Sequence, residues 1–291
     1  MFKKTKIALG MVLGLASANA MAISVTTSND ATALANLILG AGITVSNATY
    51  SGSSTQSGGF TGDTVFGMGS GLVMTSGSAT TAADTFNDSD GTSIDSGTGA
   101  DADLSALISA TTNNAAVLEF DFTFGDGSTG GDLFFKWAFA SEEYNEYVDS
   151  QYNDVYAFFL DGSDAAHNIA KAPDGAVASI NTINCGKPYN PAHVGDNCSS
   201  YNNNDLQDGG PLFATEYDGF TNVITASATG LSAGVHHIKI AIADTSDTAL
   251  DSAVFIQGGT FSDKETVPAP GVLALLGLGL LGMVTRRRIK A

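Results

Sequence analysis

The chain has 291 residues, of which 14% are charged, and its formal net charge is -18. So acidic a chain lacks the basic patches that neutralise phosphate, which excludes binding to DNA or RNA as its function. A hydrophobic content of 43% is too high for a disordered chain. Heptads rich in Glu and Lys are absent, which excludes a coiled coil.

The first 22 residues combine a basic start, an apolar run and two cleavage patterns. Three lysines stand within the first six residues, residues 7–16 are apolar, and Ala-x-Ala patterns end at Ala20 and Ala22. This order predicts a signal peptide over 1–22, exported by the Sec machinery and removed by signal peptidase. The alternative, a retained anchor, is disfavoured because the apolar run is short for a bilayer span.

The stretch 23–265 differs from both ends of the chain in charge. It holds all 30 acidic residues against five lysines and no arginine, which gives a formal net charge of -25. Its length suits one large domain, and no Pro-rich linker divides it. We therefore expect a single domain over 23–265.

Two short helices are predicted in this stretch. Residues 30–39 place Leu34, Leu37 and Ile38 on one face, and Asn29 or Asp30 can cap the first turn. A weaker helical pattern covers 103–110.

The other predicted elements are strands. In 116–124, Phe120 and Phe122 alternate with Glu119 and Asp121, the period of a half-buried strand. Apolar or alternating runs predict nine strands, at 43–50, 71–74, 116–124, 133–140, 155–160, 177–183, 222–228, 235–243 and 254–261. Many strands with one or two short helices predict a mostly β fold, a two-sheet β-sandwich or jelly roll.

Cys185 and Cys198 are the two cysteines of the chain. An even cysteine count in an exported protein predicts a disulfide bond. The alternative is a metal site that includes His193, but zinc usually takes four ligands and this loop offers three.

Four segments together resemble the choice-of-anchor L domain. They are ASEEYNEYV at 140–148, NDVYAFFLDG at 153–162, SINTIN at 179–184 and IADTSDTALDSAVFI at 242–256. The resemblance spans most of 23–265 and implies a surface protein with a C-terminal anchoring signal. It implies no catalytic activity.

The acidic residues of these segments are candidate calcium ligands, because calcium takes six to eight oxygens from carboxylates, amides and carbonyls. The candidates are Glu142, Glu143, Asn153, Asp154, Asp244, Asp247 and Asp251. A cation would also relieve the self-repulsion of so acidic a domain. The alternative is an acidic surface that keeps the protein soluble. Paired carboxylates could also serve a glycosidase, but we predict no catalytic residues, since no sequence pattern places two of them across a sugar.

The C-terminal end has three parts. Val267, Pro268, Ala269 and Pro270 come first, an apolar run follows at 272–284, and Arg286, Arg287 and Arg288 close the chain. A short span held by a basic stop suits temporary anchoring in the inner membrane, and a retained anchor is the alternative. The layout over 266–291 resembles the PEP-CTERM sorting signal of Gram-negative bacteria, with Ala269 where the usual motif has Glu. The resemblance implies cleavage by an exosortase-like enzyme and delivery to the cell surface or extracellular matrix.

These observations predict a secreted, non-enzymatic component of the surface or the exopolysaccharide matrix, with calcium as a candidate stabilising ion and polysaccharide or a second copy as candidate partners. One alternative is an extracellular polysaccharide hydrolase that uses paired carboxylates. A second is a structural subunit that assembles with itself through strand edges.

Overall fold

Two antiparallel β-sheets form most of the regular structure in the computed structural model, which describes residues 23–83 and 86–266. Within these residues the strands are β1 (Ser24–Thr27), β2 (Ile43–Ser51), β3 (Ser57–Asp63), β4 (Gly69–Thr75), β5 (Thr112–Phe124), β6 (Gly131–Ser141), β7 (Val155–Leu160), β8 (Tyr201–Asn203), β9 (Gly219–Thr221), β10 (Ile224–Leu231), β11 (His236–Thr245) and β12 (Ser252–Gln257). The helices are α1 (Ala31–Ile38) and α2 (Ala102–Ile108).

The larger sheet has the order β1-β3-β4-β12-β6-β9-β8, with β10 also paired to β6. The smaller sheet has the order β2-β5-β11-β7. The predicted mostly β sandwich in a single domain is confirmed.

Alternation along the strands decides which side chains enter the core. In β5, Phe120 and Phe122 are fully buried, whereas Glu119 and Asp121 between them are partly exposed. Each buried aromatic side chain contributes roughly 1.5–3 kcal/mol relative to an exposed one. The sheet therefore presents one apolar face to its partner, as the sequence predicts.

Aromatic side chains from both sheets meet in the core. The ring of Trp137 on β6 lies 4.9 Å from that of Tyr156 on β7, between ring centroids. Phe139 stacks on the same tyrosine at 4.8 Å. Both Trp137 and Phe139 are fully buried, so neither ring is available to stack on a sugar.

Both predicted helices are present and begin with an aspartate cap. Asp30 Oδ1 accepts a hydrogen bond from the backbone N–H of Ala33 at 3.0 Å. Leu34 and Ile38 on the inner face of α1 are fully buried, whereas Leu37, predicted on the same face, is 37% exposed. The second helix begins at Ala102, one residue before the predicted start, because Asp101 caps it.

The strand predicted at 177–183 is wrong. Residues 180–182 form a 3₁₀ turn, and Val177 and Ser179 make isolated bridges. Thr182 explains the difference, because its Oγ1 accepts from the N–H of Ser179 at 2.9 Å and donates to the carbonyl of Val177. Such local side-chain bonds compete with the ladder of a strand.

The predicted disulfide is confirmed. Cys185 and Cys198 are bonded, with their Cα atoms 4.6 Å apart. This pairing removes the alternative metal site with His193. The bond closes a loop on the segment between β7 and β8.

Several predicted features lie outside the described residues. They are the signal peptide at 1–22, Val267 and the rest of the sorting motif through Pro270, the apolar run at 272–284 and the basic stop at 286–288. Among the helices that the structure describes, none is long and apolar enough to cross a membrane.

Candidate functional site

Four strand ends meet at one end of the sandwich, and the candidate ligands lie there. In the larger sheet, Ser141 at the end of β6 pairs with Ser252 at the start of β12. In the smaller sheet, Ala243 near the end of β11 pairs with Val155 at the start of β7. The acidic segments attached to these ends are therefore brought to the same region, although they are far apart in the sequence.

Asp154 links the two sheets at this end. Its Oδ1 accepts a hydrogen bond from the backbone N–H of Thr245 in the smaller sheet, at 2.9 Å. The hydroxyl of Ser252 in the larger sheet lies 2.7 Å from its Oδ2. Because both partners and the carboxylate are buried, this network fixes the relative position of β11 and β12.

Four of the predicted ligands form one group, the inter-sheet cluster: Glu143, Asp154, Asp244 and Asp247. Glu143 and Asp244 are fully buried. Asp244 Oδ2 accepts a hydrogen bond from Asn114 Nδ2 at 3.0 Å. A hydrogen bond from the side chain of Ser76 also acts on the Asp244 carboxyl. Both carboxylate oxygens of Glu143 have no hydrogen-bond partner within the described part of the chain.

Burial raises the pKa of each carboxyl in the inter-sheet cluster. The pKa of Glu143 is raised by burial and further by the charges of Asp247 and Asp244. The pKa of Asp154 is raised by burial and then by Asp244 and Glu143. The carboxylates of the inter-sheet cluster therefore act on one another electrostatically.

A second group, the loop cluster, lies beside the first. It consists of Asn87, Asp90, Glu142, Glu146, Asp205, Glu216 and Asp218. Burial raises the pKa of Glu142 well above its ordinary value, and the charges of Asp218 and Glu216 add to the rise. Burial likewise raises the pKa of Asp218 to about 9. Glu142 and Glu143, neighbours in the sequence, thus belong to different clusters.

No positive side chain neutralises either cluster within the described residues. The ion pairs there join the four histidines and Lys239 to carboxylates outside both clusters. The ammonium of Lys187 contacts the loop cluster, but it donates to the backbone carbonyl of Glu146 rather than to a carboxylate. Buried carboxylates without a counter-charge are costly unless an ion or a proton accompanies them.

The remaining predicted ligands have structural partners. Asn153 Oδ1 accepts a hydrogen bond from the N–H of Asn181 at 2.9 Å. Asp251 Oδ1 accepts from the N–H of Ile94 at 2.9 Å, and its Oδ2 accepts from that of Ser78 at 3.4 Å. Asp251 thus uses both oxygens to hold two loops, and burial raises its pKa to about 6.

No group of three or more His, Cys, Asp or Glu side chains among the described residues has a ready-made metal-binding arrangement. Calcium does not require such a group, because amide oxygens, backbone carbonyls and water complete its shell.

Sequence reasoning missed six members of the loop cluster: Asn87, Asp90, Glu146, Asp205, Glu216 and Asp218. The segments 87–90 and 202–208 are dense in Asp and Asn, which is the signal available in the sequence. The segment around Asp90 does not have the spacing of an EF-hand loop, so no local motif marks it. What assembles the cluster is a contact between Asn87 and Asp218, 131 positions apart.

The fold and the site define an antiparallel β-sandwich domain with buried carboxylates at one end. The chain belongs to the choice-of-anchor L domain family, whose model matches residues 23–262. A PEP-CTERM protein-sorting motif matches residues 266–288. Both resemblances drawn from the sequence are confirmed. No curated protein and no solved structure matches the chain.

These matches identify a secreted, surface-associated protein. The sorting motif directs export to the cell surface or extracellular space, and it implies processing by exosortase-like machinery.

Proposed function

We propose that the protein is a non-enzymatic component of the cell surface or extracellular matrix, and that calcium stabilises its sandwich. The observation that carries the calcium part is the inter-sheet cluster. Glu143 is fully buried with neither carboxylate oxygen partnered within the described residues, and the charges of Asp247 and Asp244 add to the rise that burial produces in its pKa.

Calcium suits this cluster for two reasons. Its ligands are hard oxygens, and the cluster offers carboxylates without His or Cys. Extracellular calcium-binding modules operate at dissociation constants of roughly 10⁻⁴–10⁻³ M, so a site of modest affinity is sufficient outside the cell. An ion here would stabilise the junction of the two sheets, since Asp154 contacts both.

Thermal unfolding tests the proposal. The exported protein would be freed of calcium by chelation, and its melting temperature compared in millimolar calcium and in millimolar magnesium. Millimolar calcium is about a tenfold excess over a Kd of 10⁻⁴ M, which stabilises the folded state by about 1.4 kcal/mol, so we expect a rise of a few degrees in calcium alone. Glu143→Gln should abolish most of this rise, whereas Asp174→Asn, at an exposed carboxylate, should keep it. Equal melting temperatures in all three solutions would overturn the calcium part.

The non-enzymatic part of the proposal rests on accessibility. A hydrolase needs an acid and a nucleophile or base open to a sugar. Glu142 and Glu143 are both fully buried, so neither carboxyl is presented to a polysaccharide. We expect no release of sugar from the organism's own matrix. Release that Glu142→Gln abolishes would establish the hydrolase instead.

Matrix retention and anchoring need separate tests. A matrix component should bind isolated exopolysaccharide, which is measured with and without calcium. A self-assembling subunit should instead form oligomers, which sedimentation would detect.

Mass spectrometry of the surface form tests temporary anchoring. We expect it to begin near residue 23 and to lack residues 272–291, whereas an intact C-terminus would indicate a retained anchor.

A further inference from the structure

We propose that the loop cluster is a second calcium site, separate from the inter-sheet cluster, and that it fastens the segment 86–95 to the body of the sandwich. This inference goes beyond the proposed function, because it concerns different ligands and a different effect. Its central ligands are Asn87, Glu142 and Asp218, with Asp90 and Glu146 at the rim.

The orientation of Asn87 is the first support. Its Nδ2 donates to Asp218 Oδ1 at 2.6 Å and to the backbone carbonyl of Asn204 at 3.0 Å. Two acceptors on the nitrogen fix which way the amide faces. The buried Oδ1 is consequently turned away from them, and it has no donor among the described residues. A buried amide oxygen that accepts no hydrogen bond is suited to bind a cation.

Buried carboxylate oxygens near Asn87 are also unpartnered. Glu142 is fully buried, and within the described part of the chain the backbone N–H of Thr92 is the one donor that acts on its carboxyl. Asp218 is fully buried too, and its Oδ2 has no hydrogen-bond partner within the described residues. Glu142 and Asp218 lie close enough for the charge of one to raise the pKa of the other.

Asp90 and Glu146 extend the site toward solvent. Asp90 Oδ2 accepts a hydrogen bond from Gln207 Nε2, while its buried Oδ1 has no donor within the described residues. Glu146 Oε2 is likewise buried without a partner there. Burial raises the pKa of Glu146 and of Asp218, and the charge of Asp90 adds to both rises.

Asp205 has a structural role and is not one of the proposed ligands. Its Oδ1 accepts from the backbone N–H groups of Gln207 and Asp208, at 2.7 and 3.0 Å. Its Oδ2 accepts from the N–H of Asn145 at 3.1 Å. Asp205 therefore holds the turn that carries Glu146, and it supports the site without offering a free oxygen.

The ligand set selects the ion. Carboxylate and amide oxygens without His or Cys exclude the softer transition metals. A mixture of oxygens from three distant segments fits calcium, with its flexible shell of six to eight oxygens, better than magnesium, which demands a small regular octahedron.

A cation here would connect a segment that lacks helix and strand. Residues 86–95 are held to the body mainly by side-chain hydrogen bonds and not by a strand ladder, among them Thr92 Oγ1 to Glu216 and the N–H of Ile94 to Asp251. An ion that binds Asn87 and Asp90 together with Glu142 adds links from this segment to the turn after β6. Calcium should therefore slow the local opening of the segment.

The test uses the exported protein after calcium removal. Equilibrium dialysis should give two bound calcium ions per chain, and hydrogen exchange of amides in 86–95 should slow at least tenfold in calcium. Asp218→Asn should leave one ion and no calcium-dependent slowing. Its carboxamide keeps the acceptor for Asn87, and it removes a buried charge, so the variant should fold. Asp90→Asn is a second variant, at the rim, expected to weaken the second binding event at least tenfold.

Matched controls separate the two sites. Glu143→Gln should lose the inter-sheet ion and keep the slowing in 86–95, and Asp174→Asn should change neither. The loop site is overturned if Asp218→Asn binds as many ions as the wild type, or if exchange in 86–95 ignores calcium. If Glu143→Gln still binds two ions, the inter-sheet site fails and the loop site stands.

Discussion

Lys239 is a nearly buried cation in a strongly acidic domain. Its Nζ lies 2.6 Å from a carboxylate oxygen of Asp101 and 2.6 Å from one of Asp103, at the start of α2. Burial alone would lower the pKa of Lys239, but the hydrogen bonds to both carboxylates outweigh it and raise the pKa. The folded state therefore favours the charged lysine, and this stabilisation holds below about pH 10 and disappears above it.

Replacing this cation should destabilise the domain. Lys239→Met removes the partner of Asp101, which is 12% exposed, and of Asp103, and leaves their charges facing each other. Breaking a buried ion pair from one side costs about 3 kcal/mol, and we expect about 2–3 kcal/mol here because Asp103 is partly exposed. Urea unfolding at pH 7 measures the change. Lys171→Met, at a more exposed lysine, is the control and should stay within about 0.5 kcal/mol. Equal losses in the two variants would contradict the prediction.

The segment between β7 and β8 owes its shape to a crosslink and to side-chain bonds. The disulfide spans 13 positions, and the N–H of Asn184 bonds the carbonyl of Asp196 at 2.8 Å across the loop. In the chain-entropy model a loop of this size contributes roughly 3 kcal/mol by restricting the unfolded state. We expect the double variant Cys185→Ser, Cys198→Ser to lose about that amount in urea unfolding. Dithiothreitol should lower the stability of the wild type to that of the double variant and should not change the double variant. A double variant with the same urea midpoint as the wild type would refute this prediction.

Elements defined by local pattern could be predicted, and elements defined by distant contacts could not. Residues 155–160 are a strand as predicted, because a continuous apolar run is stable in a strand that is buried on both faces. The segment 177–183 mixes apolar and polar residues in a pattern that also suits a strand, but the side-chain bonds of Thr182 hold its backbone in a turn. Of the candidate site, Glu143, Asp154 and Asp244 could be named from segments attached to strands. Asn87 and Asp218 could not, because only the fold brings their segments together.

At the scale of the whole molecule, charge and compartment act together. The stretch 23–265 carries a formal net charge of -25, and the sorting motif sends the protein outside the cell. Repulsion within such a domain opposes the compact state, most strongly where carboxylates are buried. Protons or divalent cations can relieve it, and the two compete for the same oxygens.

This competition predicts a pH dependence of the calcium-free protein. Burial raises the pKa of Asp218 to about 9, against about 3.9 in an unfolded chain. Between these values the folded state holds a proton that the unfolded state has released, so stability falls as pH rises. One such group contributes up to about 1.4 kcal/mol per pH unit. The pKa values of Glu142, Glu143 and Asp154 are raised in the same direction.

The calcium-free protein should therefore resist urea better at pH 5.5 than at pH 8. In millimolar calcium the slope of the urea midpoint against pH should flatten or reverse, because the folded state then binds ions to ionised carboxylates. Asp218→Asn should reduce the calcium-free slope, and Asp174→Asn, at an exposed carboxylate, should keep it. Urea midpoints at three pH values, with and without calcium, measure all of these slopes. Identical slopes in the presence and absence of calcium would mean that the buried carboxylates hold protons throughout and bind no ion.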